Sequence, residues 1–491
     1  MTLPTPGLLR TLIHDALTTA LTRDAATLPA SMLYTPGCRP ALFTDSSVVR
    51  GGPGAGKTLW ARVLTDPALR AAAAHDLKMP RLEDTRVISA PGATGDSGGY
   101  PAAPELEALL GEGIRPVTVW TAVALTSLGV CDLTHLPSWR DRAQWLLRNP
   151  DALRQGVADL NSQGRTHLVV FDSLDRLHPD QRTTDRLASG VLQLAADLAR
   201  LGPRVRAKVF LRPDTLDAAL WALTSEARRA LRTADLNWST PDRWGQMTGT
   251  HLYGLFFQLL ANHPGEGAAA FRSLTPGWRL TPDGRFSAPE QLTADPAAQE
   301  RLFTVIADPY MGATARRGST YRFMLTYLQD GVGGLSPRPF LIALRQAVRH
   351  ALDDHPDHPR ALHHRDIRRG VPEGARARAA EVEQAMPWVR AAFAPLAGQQ
   401  LPIDSDQVIA QWDHACLPDR LRRLGSRAAD PYPSGMRHLA RYHGLLEELT
   451  AAGVVHPRTD GSWDMPEPFR IAYGLGRQGG VKRPRPLSSP G

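Results

Sequence analysis

The stretch SSVVRGGPGAGKT, residues 46–58, indicates the fold most directly. It opens with a short β-branched run, and residues 51–58 then match the pattern G-x-x-x-x-G-K-[ST] in full. Apolar residues at helical spacing follow over 59–64. A strand, a glycine-rich loop and a helix in this order predict a loop that binds phosphate groups.

The residue types of this loop suit a nucleotide. The predicted binding residues are Gly51, Gly52, Pro53, Gly54, Ala55, Gly56, Lys57, Thr58 and Leu59. Glycines leave room for consecutive backbone N–H groups to surround a phosphate at a helix N-terminus. Lys57 is expected to neutralise the β- and γ-phosphate oxygens during catalysis, and the Thr58 hydroxyl is expected to ligate Mg²⁺. The sequence therefore predicts ATP and Mg²⁺ as cofactors.

Such a loop requires a carboxylate on a nearby strand, and the stretch LVVFDSLDRL at 168–177 provides one. Its four apolar residues predict a buried strand, and Asp172 follows at the carboxyl end, where parallel sheets bind ligands. We predict that Asp172 is a catalytic carboxylate and a Mg²⁺ ligand. Asp175 is either the general base for the attacking water or the N-cap of the next helix, and we favour the catalytic role.

Two arginines are candidates for sensing the phosphate. Arg212 follows the strand signal KVFL at 208–211, and a cation there could distinguish ATP from ADP during catalysis. An ordinary strand-end salt bridge is an equal alternative for Arg212. Arg338 precedes a helical pattern at 340–352, and it could bring a lid domain onto the nucleotide.

The order of predicted elements indicates an α/β fold. Strand signals alternate with helical patterns at 46–50, 86–90, 168–171 and 208–211. This alternation predicts a parallel P-loop NTPase sheet flanked by helices, followed by an all-α lid domain and a winged-helix domain. The predicted domains are an N-terminal helix and arm (1–37), the P-loop NTPase core (38–245), the helical lid (246–355), a linker (356–400), the winged-helix domain (401–475) and a basic flexible tail (476–491).

Composition narrows the class of protein. The 491 residues are 42% hydrophobic, which is enough for several packed cores. Lys and Arg number 57 against 49 Asp and Glu, and only four of the basic residues are lysines. Arginine suits phosphate contacts, but we attribute most of this excess to a GC-rich genome. Three widely spaced cysteines, no signal peptide and no long apolar run predict a cytoplasmic protein without a membrane span.

The pairing of GGPGAGKT with LVVFDSLDRL resembles the STAND and KAP-type P-loop ATPases, which are relatives of AAA+ proteins. The strand KVFLR resembles the sensor-1 strand of that class, and the order of lid and winged helix is also similar to the origin-recognition AAA+ ATPases. The resemblance spans about 38–480. It implies Walker A roles for Gly51, Gly56, Lys57 and Thr58, Walker B roles for Asp172 and Asp175, and the sensor-1 role for Arg212.

What this resemblance implies is an ATP-dependent switch that is closed with ADP and opens or oligomerises with ATP. The sequence departs from the family pattern, because only about forty residues precede the P-loop and no repeat sensor follows the winged helix. We therefore expect a separately encoded protein partner, a homo-oligomer, and a role in a bacterial defence or conflict system. The arginine finger would come from a neighbouring subunit.

The alternative function is a DNA-binding ATPase that uses its winged helix and basic tail on duplex DNA. Residues 360–491 carry 19 basic and 14 acidic side chains, and the tail at 476–485 reads GRQGGVKRPR. The presumed recognition helix at 434–452 contains Glu447 and Glu448 as well as basic residues, which weakens this reading.

A group of four histidines lies within 355–364. His355, His358, His363 and His364 could ligate a metal. Interleaved prolines and the absence of a nearby cysteine favour an exposed linker instead.

Overall fold

The computed structural model describes residues 4–22, 36–90, 100–174, 177–178, 180–241, 247–425 and 442–477. Its centre is a five-stranded parallel sheet. The strands are β1 Val48–Arg50, β2 Arg86–Ser89, β3 His167–Phe171, β4 Val205–Leu211 and β5 Thr233–Asp235. Their spatial order is β2-β3-β4-β1-β5, so β4 lies between the strand that leads into the glycine-rich loop and the strand that precedes Asp172.

Helices cover both faces of this sheet, as the alternating pattern predicts. In this part of the chain they are α2 Arg39–Leu42, α3 Lys57–Thr65, α4 Pro67–Asp76, α5 Pro80–Glu83, α6 Ala103–Gly111, α7 Pro116–Leu128, α8 Trp139–Arg148, α9 Ala152–Ser162, α10 Gln181–Leu201, α11 Pro213–Trp221 and α12 Ser225–Ala230; α1, Pro6–Thr22, precedes them. Val169 and Phe171 of β3 pack into one apolar layer, while Leu168 and Val170 pack into the other. The alternation of β3 side chains between two cores explains why the strand is apolar throughout.

The lid domain follows, and its core is helical. Its elements are β6 Ser239–Pro241, β7 Met247–Thr250, α13 Leu252–Ala261, α14 Glu266–Arg272, β8 Arg279–Leu280, β9 Phe286–Ser287, α15 Glu290–Ala294, α16 Pro296–Ile306, α17 Thr320–Leu328, α18 Pro337–Asp354 and α19 His364–Ala385. Helix α1 buries Leu12, Ile13 and Leu17 in this same core. The N-terminal helix therefore contributes to the lid, although the sequence predicts it as a separate segment.

The predicted linker at 356–400 is wrong for most of its length. Its residues include the 22-residue helix α19. The first half of α19 places Ile367 and Val371 in the lid core, and the second half places Ala379 and Val382 in the core of the C-terminal domain. The Arg- and Pro-rich composition suggested a solvated segment, but the small and apolar residues of one helix face are buried between two domains.

The C-terminal domain is small and mixed. Its elements are α20 Trp388–Phe393, β10 Gln400–Leu401, β11 Ile403–Asp404, α21 Ser405–His414, α22 Leu417–Gly425, α23 Tyr442–Ala451, β12 His456–Pro457, β13 Ser462–Asp464, α24 Glu467–Ala472 and β14 Gly476–Arg477. Strands β12 and β13 form an antiparallel hairpin whose turn contains Gly461, and β11 pairs with β13. The predicted helix at 434–452 is helical over 442–451, and its earlier residues lie outside the described part of the chain.

The first two residues of the predicted flexible tail at 476–491 are part of the folded C-terminal domain. Strand β14 pairs with β10, and Arg477 forms ion pairs with Asp464 and Glu467. Residues 478–491, including Lys482, Arg483 and Arg485, lie outside the described part of the chain. Within the described ranges, none of the helices has the length and apolar character that a bilayer crossing requires.

Candidate nucleotide site

The glycine-rich loop connects β1 to α3 at the carboxyl edge of the sheet. The N–H of Gly51 donates to the carbonyl of Leu211 at 3.1 Å, so the loop begins beside the end of β4. Gly54 and Gly56 have φ angles of 76° and 94°, in the left-handed region that favours glycine. Helix α3 then begins at Lys57. The strand, loop and helix predicted from the sequence are therefore all present.

Three side chains at the glycine-rich loop have clear positions. The Lys57 ammonium donates to the carbonyls of Gly51, at 2.8 Å, and Gly52, at 3.3 Å, so the cation lies over the loop. Thr58 is exposed in the first turn of α3. The buried Trp238 indole donates to the carbonyl of Ala55 at 3.0 Å and holds the loop from the protein side. These positions fit the phosphate and Mg²⁺ ligands expected from the sequence.

Asp172 follows β3 at the same edge of the sheet. Its carboxylate accepts a hydrogen bond from the Ser173 hydroxyl at 3.3 Å, and its backbone carbonyl accepts one from the buried Tyr100 hydroxyl at 3.4 Å. Burial raises the pKa of Tyr100, so this hydroxyl remains a donor at neutral pH. Asp175, the second predicted carboxylate, lies outside the described residues.

Arg212 is buried at the end of β4. It forms a salt bridge, which was the alternative to a sensor role in the sequence-based prediction. Its guanidinium donates to both carboxylate oxygens of Asp214, at 3.2 and 2.9 Å. It also donates to the carbonyl of Ala385, the last residue of α19, at 2.9 Å. In this conformation Arg212 therefore connects the edge of the sheet to the lid.

The predicted lid arginine, Arg338, is exposed in the first turn of α18. It lies close enough to Glu381 to lower the pKa of that carboxyl, although burial dominates and raises the pKa overall. Two lid side chains other than Arg338 contact the glycine-rich loop directly. The Ser336 hydroxyl donates to the carbonyl of Gly54 at 3.1 Å, and Arg378 of α19 donates to the carbonyl of Pro53 at 2.7 Å.

Arg378 is the centre of this contact, and only 3% of its side chain is exposed. Its guanidinium donates to Asp330 at 2.7 Å and to Glu381 at 3.1 Å, while Glu381 also accepts from Ser336 at 2.8 Å. Burial alone would lower the pKa of Arg378, but the two carboxylates outweigh it and raise the pKa. We call the four side chains of Ser336, Asp330, Arg378 and Glu381 the lid clamp.

The lid clamp packs closely against the loop. A Cβ atom on Gly54 would lie 2.2 Å from a carboxylate oxygen of Glu381 and 2.6 Å from the Ser336 hydroxyl. This cluster is not predictable from the sequence, because Asp330 and Pro53 are 48 and 325 residues from Arg378, which is one of 53 arginines. The one sequence feature that points to Arg378 is its position on the small-residue face of α19, which includes Gly374 and Ala375 and is buried.

Comparison of the sequence with protein-family models and with curated proteins finds no match. Among solved structures, the chain is similar to the ORC2 protein of Aeropyrum pernix in its ADPNP-ADP complexes, with 15% identity, a TM-score of 0.38, and coverage of 88% of this chain and 86% of that one. It is also similar to the ORC1 protein of the same organism in complex with DNA, with 14% identity, a TM-score of 0.34 and 89% coverage of both chains. The α/β assignment rests instead on the strand order of the parallel sheet, and the helical lid rests on the helices from α13 to α19.

Proposed function

We propose that this protein binds and hydrolyses ATP, and that the nucleotide state controls how the lid and the C-terminal domain sit on the P-loop domain. The observation that carries the proposal is the edge of the sheet. There the complete glycine-rich loop follows β1, Asp172 follows β3, and β4 with Arg212 lies between them. In open parallel sheets, ligands bind at this edge.

The residues of this edge have complementary chemistry. In the proposal, backbone N–H groups of the loop and the Lys57 ammonium hold the phosphates, while Thr58 and Asp172 hold Mg²⁺, which neutralises phosphate charge when bound. Asp175 is proposed as the general base that orients the attacking water. Arg212 is proposed as the sensor, which requires that it exchange its contact with Asp214 or Ala385 for a phosphate oxygen.

The lid clamp supports a switch as well as simple binding. Arg378 contacts the loop through Pro53 and contacts Asp330 on the other side. The residue after Asp330 contacts the C-terminal domain, since the N–H of Gly331 donates to the carbonyl of Gly453 at 2.7 Å. A change in the loop on phosphate binding would therefore be passed to the C-terminal domain through two adjoining contacts.

The identity of the C-terminal domain as a winged helix is part of the proposal. A short strand, three helices and an antiparallel hairpin follow one another from β11 to β13, which is the order expected for that fold. In a STAND-type reading, this domain is an internal lock and a separate protein is the partner. A role in defence and the formation of a homo-oligomer belong to the same proposal.

Duplex DNA remains a weaker second partner. Within the described residues of the presumed recognition helix at 434–452, α23 carries Glu447 and Glu448 and neither lysine nor arginine. Arg437 and Arg441 of the predicted helix lie outside the described part of the chain. Two nearby arginines of the domain, Arg470 and Arg477, are paired with carboxylates. The described part of the domain therefore supports a contact with protein better than a contact with phosphate backbones.

The switch is tested by mass photometry and thermal unfolding of the full chain with Mg²⁺ and ADP or a non-hydrolysable ATP analogue. We expect both nucleotides to raise the melting temperature, because a ligand that binds only the folded state stabilises it. We expect only the ATP analogue to change the assembly mass. Stabilisation by both nucleotides without any change in mass or proteolytic pattern would leave an ATP-binding protein but contradict the switch.

A further inference from the structure

The four histidines at 355–364 lie together with two aspartates at one end of the lid. The chain from His355 leads into α19, whose first residue is His364, and Asp308 follows α16. The imidazole rings of His355, His358 and His364 each lie within 4.7 Å, centre to centre, of the ring of His363. These side chains are largely buried, with 14% of His363 and 16% of Asp308 exposed. The exposed linker expected for them is therefore wrong.

The ligand atoms converge on Asp308. One of its carboxylate oxygens lies 2.9 Å from Nδ1 of His364 and 3.8 Å from Nε2 of His363. The other oxygen lies 2.8 Å from Nε2 of His358. Zinc bound tetrahedrally to nitrogen and oxygen places its ligand atoms about 3.3 Å apart, so the observed separations bracket the value that one ion requires.

The backbone holds these ligands in place before any ion binds. The N–H of Asp308 donates to the carbonyl of Leu362, and the N–H of Leu362 donates to the carbonyl of Ile306, both at 3.0 Å. From the other side, the guanidinium of buried Arg10 donates to the carbonyls of four residues of the histidine segment: Pro356, His358, Arg360 and Ala361. The two segments that carry the ligands are thus tied to each other and to α1.

We infer that Asp308, His363 and His364 form a binding site for a zinc ion, with His358 orienting the carboxylate through its second oxygen. Imidazole and carboxylate ligands suit zinc, whereas Ca²⁺ and Mg²⁺ prefer oxygen ligands alone. Metal sites commonly contain such hydrogen bonds between histidines and carboxylates, which fix the orientation of the metal ligands.

The properties of His363 favour an ion over a simple hydrogen-bonded cluster. Its Nδ1 is buried and has no hydrogen-bond partner, and its Nε2, the nitrogen that faces Asp308, lies 3.8 Å from the carboxylate, which is too far for a hydrogen bond.

An ion at this place would fasten the start of α19 to the end of α16. Helix α19 carries Arg378 of the lid clamp fourteen residues further along. The zinc site would therefore stabilise the helix that contacts the nucleotide loop, without taking part in the chemistry there.

The test is isothermal titration of the metal-stripped full chain with zinc chloride, together with metal analysis and thermal unfolding. We expect one ion per chain, a Kd below about 1 μM, and a rise in melting temperature with zinc. His364→Ala and Asp308→Asn should each weaken zinc binding by at least about 100-fold and abolish the thermal shift. Co²⁺ should give the visible absorption typical of tetrahedral nitrogen and oxygen ligands.

Two control variants keep the result specific. His135 is exposed on the P-loop domain and Cys416 is an exposed thiol, so His135→Ala and Cys416→Ser should leave zinc binding unchanged. Circular dichroism establishes that each variant is folded. Absence of stoichiometric binding to the unmodified chain would overturn the proposal. So would loss of binding in His355→Ala with full retention in His364→Ala, which would place the ion between His355, His363 and Asp366 instead.

Discussion

The glycine-rich loop at 51–58 and helix α19 meet at the same point of the molecule, yet they are encoded in opposite ways. The loop acts through consecutive residues, whose glycines take positive φ angles and whose lysine folds back on its own carbonyls. Helix α19 acts through Arg378, whose partners Pro53 and Asp330 are 325 and 48 residues away. One part of this site is therefore formed by consecutive residues, and the other part is assembled from residues far apart in the chain. Only the first part can be recognised in a single sequence.

The largest effect is expected on stability, from removing the long-range contacts of Arg378. Arg378→Ala leaves the buried carboxylates of Asp330 and Glu381 without their cation, which should lower the free energy of unfolding by about 3–5 kcal/mol. Urea unfolding at neutral pH measures this change. Arg376→Ala is the matched control, because Arg376 is exposed on the same helix and pairs with the exposed Glu373, a contact worth about 0–1 kcal/mol. Equal losses in both variants would show that the lid clamp stabilises nothing beyond an ordinary surface pair.

The part formed by consecutive residues is tested by Lys57→Ala. Loss of the ammonium should reduce ATP turnover by about 10²- to 10³-fold, because a preorganised charge that stabilises the transition state is removed. Steady-state phosphate release measures the change. Stability should hardly move, since Lys57 is partly exposed and its bonds to Gly51 and Gly52 lie within its own loop. The control is Lys78→Gln, an exposed lysine on the same domain. Unchanged turnover in Lys57→Ala would mean that the loop is not the active site.

A third variant tests whether a lysine with long-range contacts, unlike Lys57, makes the free energy of unfolding depend on pH. Lys208 is fully buried on β4 and donates to the carbonyls of Ala41 and Phe43, more than 160 residues away. Burial lowers the pKa of Lys208 from 10.5 to about 7. Below pH 7 the folded and unfolded states both hold the proton, whereas between pH 7 and 10.5 only the unfolded state does.

The unfolding free energy should therefore rise with pH above 7, by up to about 1.4 kcal/mol per unit from this group. Lys208→Met should remove that slope, and urea unfolding at pH 7, 8 and 9 compares the two proteins. The difference between the variant and the unmodified chain cancels the slopes that other groups contribute. A constant difference across these pH values would mean that Lys208 keeps its proton when buried.

The smallest effect is expected for duplex DNA. Fluorescence anisotropy with a labelled duplex at several salt concentrations should show weak binding that falls steeply with salt and does not depend on sequence. Such a response would come from scattered arginines and not from a recognition helix. Tight, sequence-dependent binding that persists at physiological salt would reverse the ranking and make the C-terminal domain a DNA reader.

Some parts of the fold were predictable because their signals are short-range. The four predicted strands, the loop and the position of Asp172 all lie in runs of fewer than a dozen residues, and each is observed with boundaries shifted by at most three residues. Strand β5 was missed because its three residues, Thr233–Asp235, have no apolar run and are fixed only by pairing with β1. Helix α19 was mistaken for a linker because its burial depends on two domains that pack against it.

The conformation of the glycine-rich loop could be predicted from the sequence, since it depends on neighbouring residues. The sequence also determined the alternation of strands and helices and hence the parallel sheet. The tertiary structure alone decided which of the 53 arginines reaches the loop and which histidines share one carboxylate. The physical reason is that a charged side chain has a partner only after the chain has folded, and composition does not tell a buried pair from a solvated one.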